Sequence, residues 1–78
     1  MSEHEAFSRE KRHIDGFLDA GYIILEIRED LDGATVSFQK LDSFDIHSEL
    51  RLLTAEGRKY IGVKLIGQQE KKRDYRAE

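Results

Sequence analysis

The stretch of this chain that decides the fold is Leu18-Asp19-Ala20-Gly21-Tyr22-Ile23-Ile24-Leu25. Apolar residues recur at a helical spacing before it, and strand-like patterns follow it for about thirty residues. Gly21 is the natural end of the helix, because glycine readily takes the left-handed conformation that terminates helices. The run that starts at Tyr22 is β-branched and aromatic, which favours a strand. The stretch therefore predicts a corner where a helix ends and a sheet begins.

The first helix is predicted from Ala6 to this corner. Apolar side chains fall on one of its faces at the i, i+3, i+4 and i+7 spacing, namely Phe7, Ile14, Phe17 and Leu18. Lys11 interrupts the face, although its aliphatic stem can lie along apolar surface while the ammonium stays in water. Ser8 and Ser2 are equal candidates for the residue that caps the helix. These side chains give the predicted helix one apolar face.

Three strands are predicted after the corner. Residues 22–29 and 34–40 form the first two, and the Asp-Gly pair between them is a strong signal for a hairpin turn. Apolar and polar residues alternate cleanly in the second run, so that one of its faces should be buried. Residues 41–47 are predicted as a polar loop with two apolar anchors, and residues 49–54 as the third strand.

The segment from Thr54 to Leu65 fits two structures. In one, Thr54 caps a helix whose core face carries Ile61 and Leu65. In the other, Ile61, Val63 and Leu65 alternate as a fourth strand, and two nearby glycines count against a helix. The predicted fold class is α+β, with an N-terminal helix, a small antiparallel sheet of about three strands and a C-terminal helix. The alternative is a helix on a four-stranded antiparallel meander.

A chain of 78 residues is bounded to one small domain. We expect this domain to span residues 1–67, followed by a polar charged tail at 68–78 that is either a solvated helix end or disordered. Cysteine is absent, which excludes disulfides and fits a cytoplasmic location. The acidic N-terminus lacks the apolar core of a secretion signal, and no apolar run approaches the ~20 residues of a membrane span.

The sequence contains no recognisable catalytic or metal-binding pattern. No metal-ligand spacing links the three histidines to one another or to a nearby carboxylate: His4, His13 and His47. Carboxylates cluster around the loop at 42–49, but nothing there indicates the desolvation that a general acid requires. We therefore expect no enzyme, no cofactor and no metal.

Cationic side chains gather at the start of the first helix and near the C-terminus. Such groups contact phosphates, and the predicted nucleic-acid contacts are Arg9, Lys11, Arg12, His13, Lys71, Lys72 and Arg73. Acidic residues are interleaved with them, which favours a solvated helix surface with ion pairs. The net charge of −3 also disfavours DNA as a partner, although a local basic patch stays open.

Two segments together resemble a known family. They are residues 10–23, EKRHIDGFLDAGYI, and residues 52–61, LLTAEGRKYI. They are similar to the second half of a winged-helix domain, especially in small winged-helix proteins of unknown function encoded by phages and prophages. In that family the recognition helix ends in a similar Ala-Gly-Tyr-Ile step into the wing. The wing returns as a strand ending in Leu-Thr, and a Gly-x-x-Tyr/Phe-Ile/Leu pattern lies on a closing helix.

The resemblance implies that residues 55–66 are a helix, capped by Thr54, with Tyr60, Ile61 and Leu65 on its buried face. A complete winged helix also has two helices before the recognition helix, and this chain has no room for them. Their absence predicts an uncovered apolar face on the first helix. The predicted self or partner interface is Phe7, Ile14, Phe17 and Phe44.

These expectations converge on a small non-enzymatic protein–protein interaction module. Its partner would be another protein or a second copy in a homodimer, and neither a membrane nor a metal is expected. The resemblance implies a phage- or prophage-derived inhibitor or regulator of a host protein. The alternative function is a nucleic-acid-binding transcriptional regulator of the winged-helix type.

Overall fold

The computed structural model describes the backbone of residues 3–76 and the side chains of residues 4–71. In chain order the elements are helix α1 (Glu3–Asp19), strands β1 (Tyr22–Glu29), β2 (Ala34–Lys40) and β3 (His47–Leu52), and helix α2 (Ala55–Arg76). The strands form one antiparallel sheet in the order β1-β2-β3. The predicted α+β fold is confirmed. The four-stranded alternative is wrong, because residues 61–65 lie in α2.

The helix-to-strand corner has the predicted geometry. Gly21 has a φ of 91°, which is the left-handed conformation expected at the end of a helix. Its amide donates to the carbonyl of Leu18 at 3.1 Å, so the chain turns tightly before Tyr22. The start of α1 differs from the prediction. Ser8 lies inside the helix rather than at its cap, and Ser2 lies outside the described residues.

The β1–β2 hairpin has the predicted bounds, but its glycine acts differently from the expectation. Asp30 Oδ1 accepts hydrogen bonds from the amides of Asp32 and Gly33, both at 2.9 Å. Gly33 does not take a positive φ. A Cβ at this position would instead overlap the carbonyl oxygen of Leu52. Glycine is therefore needed here so that β3 can approach the turn closely.

Strand β3 ends two residues earlier than predicted, and it also begins two residues earlier. The cause is visible at its C-terminal end. The amides of Leu53 and Thr54 donate to the carboxylate of Glu10 in α1, at 2.8 and 3.3 Å, instead of extending the ladder. A side chain from the first helix thus terminates the last strand.

The core lies between one face of the sheet and the two helices. It is built from Ile14, Ile24, Val36, Phe38, Leu52 and Ile61. The alternation predicted for β2 is confirmed, since Ala34, Val36 and Phe38 are fully buried. The ring of Phe17 stacks on that of Phe38 with 4.5 Å between centroids, which joins the end of α1 to the middle of the sheet.

Helix α2 begins as the capping pattern predicts. The amide of Gly57 donates to Thr54 Oγ1 at 2.9 Å, which satisfies one of the free donors at the helix start. The side chains predicted to face the core do so, fully for Ile61 and partly for Tyr60 and Leu65. The helix continues to Arg76, so the domain boundary predicted at residue 67 falls inside it.

Candidate protein-interaction site

The corner at residues 18–25 forms part of an open groove, which we call the corner groove. Its volume is about 590 Å³, and most of its lining surface is apolar. Among the described side chains, the apolar lining comes from α1, β1, the β2–β3 loop and α2, and the polar lining comes from α2. The residues are Leu18, Ile23, Leu41, Val63 and Gly67, with the polar side chains of Lys64, Gln68 and Lys71.

Local structure explains why these apolar residues converge. Leu18 is the last apolar residue of α1, immediately before the helix ends. Ile23 pairs with Gln39 of β2 and therefore lies on the face of the sheet away from the core. Leu41 is held beside the corner because its amide donates to the carbonyl of Gly21 at 2.9 Å. The turn at Gly21 and the hydrogen bond from Leu41 thus bring Leu18, Ile23 and Leu41 together in the groove.

Gln68 fixes the position of α2 along this groove. Its amide nitrogen donates to the carbonyl of Ile24, and its amide oxygen accepts from the Ile24 amide, both at 2.9 Å. The contact lies beside a bulge in β1, where the pairing with β2 shifts between Ile24 and Glu26. Both hydrogen bonds are partly buried, so they hold helix and strand at a defined separation.

The β2–β3 loop presents an exposed aromatic ring on a well-bonded backbone. The carbonyl of Phe44 accepts from Gln39 Nε2 at 3.2 Å and from His47 Nε2 at 2.8 Å. The amide of Lys40 donates to Ile46 at 3.0 Å across the base of the loop. The Phe44 side chain itself is 81% exposed. The loop therefore displays an apolar group without burying it in the chain's own core.

A buried carboxylate links the two helices. Glu10 is only 9% exposed, and its Oε1 accepts from the hydroxyl of Thr54 at 2.7 Å. A Cβ at Gly57 would overlap the same oxygen. Glu10 therefore supplies a second cap for α2 from across the fold, and its charge lies where a helix N-terminus favours an anion. Sequence reasoning identified Thr54 as the cap but missed Glu10.

A second polar link joins the C-terminal part of α1 to the second turn of α2. The hydroxyl of Tyr60 donates to Asp15, and the ammonium of Lys11 lies 2.9 Å from the same carboxylate. These two contacts, the Tyr60 hydrogen bond foremost, lower the pKa of Asp15 below its ordinary value. The Lys11 pKa is raised by its hydrogen bond to Asp15. The ammonium of Lys64 lies 5.2 Å from the centre of the Tyr60 ring.

The predicted interface residues differ in how far the fold buries them. Ile14 is fully buried in the core, and Phe17 stacks on Phe38. The ring of Phe7 meets Tyr60 edge-on at 6.2 Å between centroids. The expectation that the apolar face of α1 lacks cover is therefore wrong, because the sheet and α2 supply that cover. Phe44 is the member of the set that stands largely in solvent.

The predicted nucleic-acid contacts are brought together only in part. Arg9, Arg12 and His13 are exposed on one face of α1, and neither arginine forms an ion pair with another described residue. Lys11 is engaged with Asp15, and Lys71 lines the corner groove. The side chains of Lys72 and Arg73 lie outside the described residues.

Within the described part of the chain, no group of three or more histidine, aspartate or glutamate side chains could hold a metal ion. None of the described helices combines the length and the apolar character needed to cross a membrane. Comparisons with protein-family models, with curated proteins and with solved structures found no match for this chain. The winged-helix relationship therefore stays a prediction from the sequence.

Sequence reasoning also missed two apolar residues on α2. Val63 is 66% exposed and Ile66 is 55% exposed. Helical spacing places both on the side of α2 that faces away from Ile61. The signal was present, because any helix that buries Ile61 must turn these two side chains toward solvent. The alternative prediction, a fourth strand, would instead place Val63 on the same face as Ile61.

Proposed function

We propose that this chain is a non-enzymatic protein-interaction module that binds a segment of another protein in the corner groove. The observation that supports this function best is the convergence of apolar side chains from four parts of the chain on one open cleft. Concave, mostly apolar clefts with a few polar groups are typical binding sites. A role as a phage- or prophage-derived inhibitor is a narrower proposal, and it is supported by the sequence resemblance alone.

The polar lining of the groove specifies the chemistry of the partner. Lys64 and Lys71 both line the cleft and are seven residues apart on α2, which separates them by about 10 Å along the helix axis. Among the residues whose side chains the structure describes, no acidic side chain contributes to the lining. A matching segment therefore carries apolar side chains for the cleft and carboxylates spaced to meet the two ammonium groups.

The groove is held open by the chain's own hydrogen bonds. Gln68 fixes α2 against β1, and the Leu41 amide fixes the loop against Gly21. A site that is already ordered loses less conformational entropy on binding, so more of the contact energy appears as affinity. Phe44 stands on the same loop as Leu41 and offers an exposed aromatic anchor of the kind that often dominates interfaces.

The proposal is tested with a pair of matched variants. Leu41 and Leu53 are 60% and 63% exposed, but only Leu41 lines the groove. Wild type, Leu41→Glu and Leu53→Glu are immobilised in parallel and exposed to a lysate of the source cells. A protein retained by wild type and Leu53→Glu but lost with Leu41→Glu is then purified and titrated against all three. The proposal predicts that direct binding follows the same order, and it is refuted if no retained protein does so.

A second candidate function is nucleic-acid binding through α1. The observation that favours it is the exposed pair Arg9 and Arg12, which form no ion pair with another described residue. The net charge of −3 argues against it, because an acidic protein is repelled by the phosphates. A gel shift with random duplex DNA tests it. Binding should weaken steeply with salt and on Arg9→Ala/Arg12→Ala. The exposed control Arg28→Ala should leave it unchanged.

Failure to shift the duplex at micromolar protein and low salt would exclude this second function. It would leave the corner groove unaffected, because neither Arg9 nor Arg12 lines that cleft.

A further inference from the structure

The outward side of α2 carries a stripe of exposed residues at a seven-residue repeat. We call this stripe the α2 seam, and it consists of Lys59, Val63, Ile66 and Glu70. Spacings of four, three and four residues keep these side chains on one face of a helix, as in the seam of a coiled coil. Val63 and Ile66 are large apolar residues that stay 66% and 55% exposed.

Two glycines flank the seam, and no contact among the described residues requires a glycine at either position. Gly62 and Gly67 lie in the interior of α2, where glycine is a poor helix former. A Cβ at either position would meet nothing within 4 Å, so the chain's own packing does not require them. The absence of a side chain beside an exposed apolar stripe allows another helix to approach closely.

We infer that two copies of this chain pair through antiparallel α2 helices, with a two-fold axis between the levels of Lys64 and Leu65. This register follows from the seam itself. It packs Val63 against Ile66 of the second copy. It also places Lys59 opposite Glu70 of the second copy, so each dimer gains two ion pairs of opposite charge. The same axis places Gly62 at the level of Gly67 of the second copy, on opposite flanks of the contact, so each flank lacks one side chain at that level.

Charge decides between the two ways of pairing the helices. A parallel pair would set Lys59 against Lys59 and Glu70 against Glu70, which is repulsive at both ends of the seam. The antiparallel pair is attractive at both ends and is self-complementary, as a two-fold interface must be. The contact is short and partly polar, so we expect a dissociation constant in the micromolar range.

This inference deepens the proposed function, since it names a second copy as one partner of the module. Ile66, Lys59 and Glu70 do not line the corner groove. Val63 and Gly67 border both surfaces, so each proposal is tested at positions that the two do not share: these three residues for the seam and Leu41 for the groove. Either proposal can fail without the other.

Sedimentation equilibrium from about 1 μM to about 1 mM measures the association. Wild type should show a reversible monomer–dimer equilibrium. Ile66→Glu should weaken dimerisation by roughly a hundredfold, because it puts two carboxylates into the centre of the contact. The exposed control Leu53→Glu should dimerise like wild type. Circular dichroism on every variant establishes that the monomer stays folded.

Charge reversal then tests the register. Lys59→Glu and Glu70→Lys should each weaken the dimer by about 5- to 30-fold, because two ion pairs become two repulsive pairs. The double variant restores both attractions and should return to within about threefold of wild type. A wild type that is monomeric at about 1 mM overturns the inference, as does Leu53→Glu disrupting the dimer equally. A double variant that stays as weak as the single variants overturns the antiparallel register.

Discussion

Replacing Gly57 by alanine should destabilise this protein, even though alanine is the better helix former. Gly57 lies in the first turn of α2, and an added Cβ would overlap Glu10 Oε1 and lie 3.0 Å from Thr54 Oγ1. A flexible carboxylate could normally move aside. Here it is held by the amides of Leu53 and Thr54 and by the Thr54 hydroxyl. Displacing it breaks these hydrogen bonds in a buried place.

The magnitude follows from those bonds. The Thr54 amide is buried and the Leu53 amide is partly buried. An amide that loses its acceptor in such a place costs about 1–3 kcal/mol. The gain in helix propensity offsets up to about 1 kcal/mol of this loss. The expected net loss is about 3 kcal/mol in the free energy of unfolding. A loss of this size is a large part of the total free energy of unfolding of a small domain. It corresponds to a fall in Tm of roughly 12–24 °C.

Urea denaturation followed by circular dichroism measures the loss. Gly16→Ala is the matched control, because a Cβ on this glycine of α1 would meet nothing within 4 Å. That variant should gain up to about 1 kcal/mol. In a Glu10→Ala background the obstacle is gone, so Gly57→Ala should become neutral or stabilising. The reasoning is refuted if Gly57→Ala matches wild type, or if its penalty is the same with and without Glu10.

Two further predictions concern single contacts in the sheet. Gln68→Ala should lower the free energy of unfolding by about 1–2 kcal/mol and speed hydrogen exchange at the Ile24 amide. Replacing the exposed neighbour, Gln69→Ala, should do neither, and equal effects of the two substitutions would contradict the contact between Gln68 and Ile24. Asp30→Asn should destabilise the protein at pH 7, because the Arg51 guanidinium and two backbone amides hold the Asp30 pKa below its ordinary 3.8. A carboxyl whose pKa is lowered by folding contributes stability above pH 3.8, and this contribution is lost as the pH falls further. The free energies of unfolding of wild type and variant, measured by urea titration, should therefore converge toward pH 2. A difference that stays constant with pH would rule out this ionic origin.

The parts of the fold that the sequence predicts are those set by neighbouring residues. The alternation in β2 and the glycine at the corner are local patterns with a local physical cause. Glu10 shows the limit of this reasoning. In the sequence it is one acid among several charges on an amphipathic helix, and its partners are 43 and 44 residues away. No pattern around Glu10 distinguishes a buried cap from a solvated surface carboxylate.

The candidate site likewise combines features set by neighbouring residues with features set by tertiary packing. Phe44 is exposed as the predicted interface requires, because it stands in a polar loop with few apolar neighbours to cover it. The prediction that Ile14 and Phe17 belong to the interface depends on an uncovered apolar face of α1. In the structure the sheet and α2 cover both side chains. The sequence of α1 alone does not predict this cover. The groove depends on how four segments meet, and this is a property of tertiary packing.

The contact between Gln68 and Ile24 has a consequence for how this protein misassembles. β1 is an outer strand of the sheet, and its first half contains the apolar run Ile23-Ile24-Leu25. Unpaired backbone groups on such an edge are a template for aggregation with other chains. The Gln68 side chain occupies the Ile24 amide and carbonyl as a neighbouring strand would. Fraying of α2 back to this residue would uncover the edge, so aggregation is expected to follow opening of one helix end rather than global unfolding.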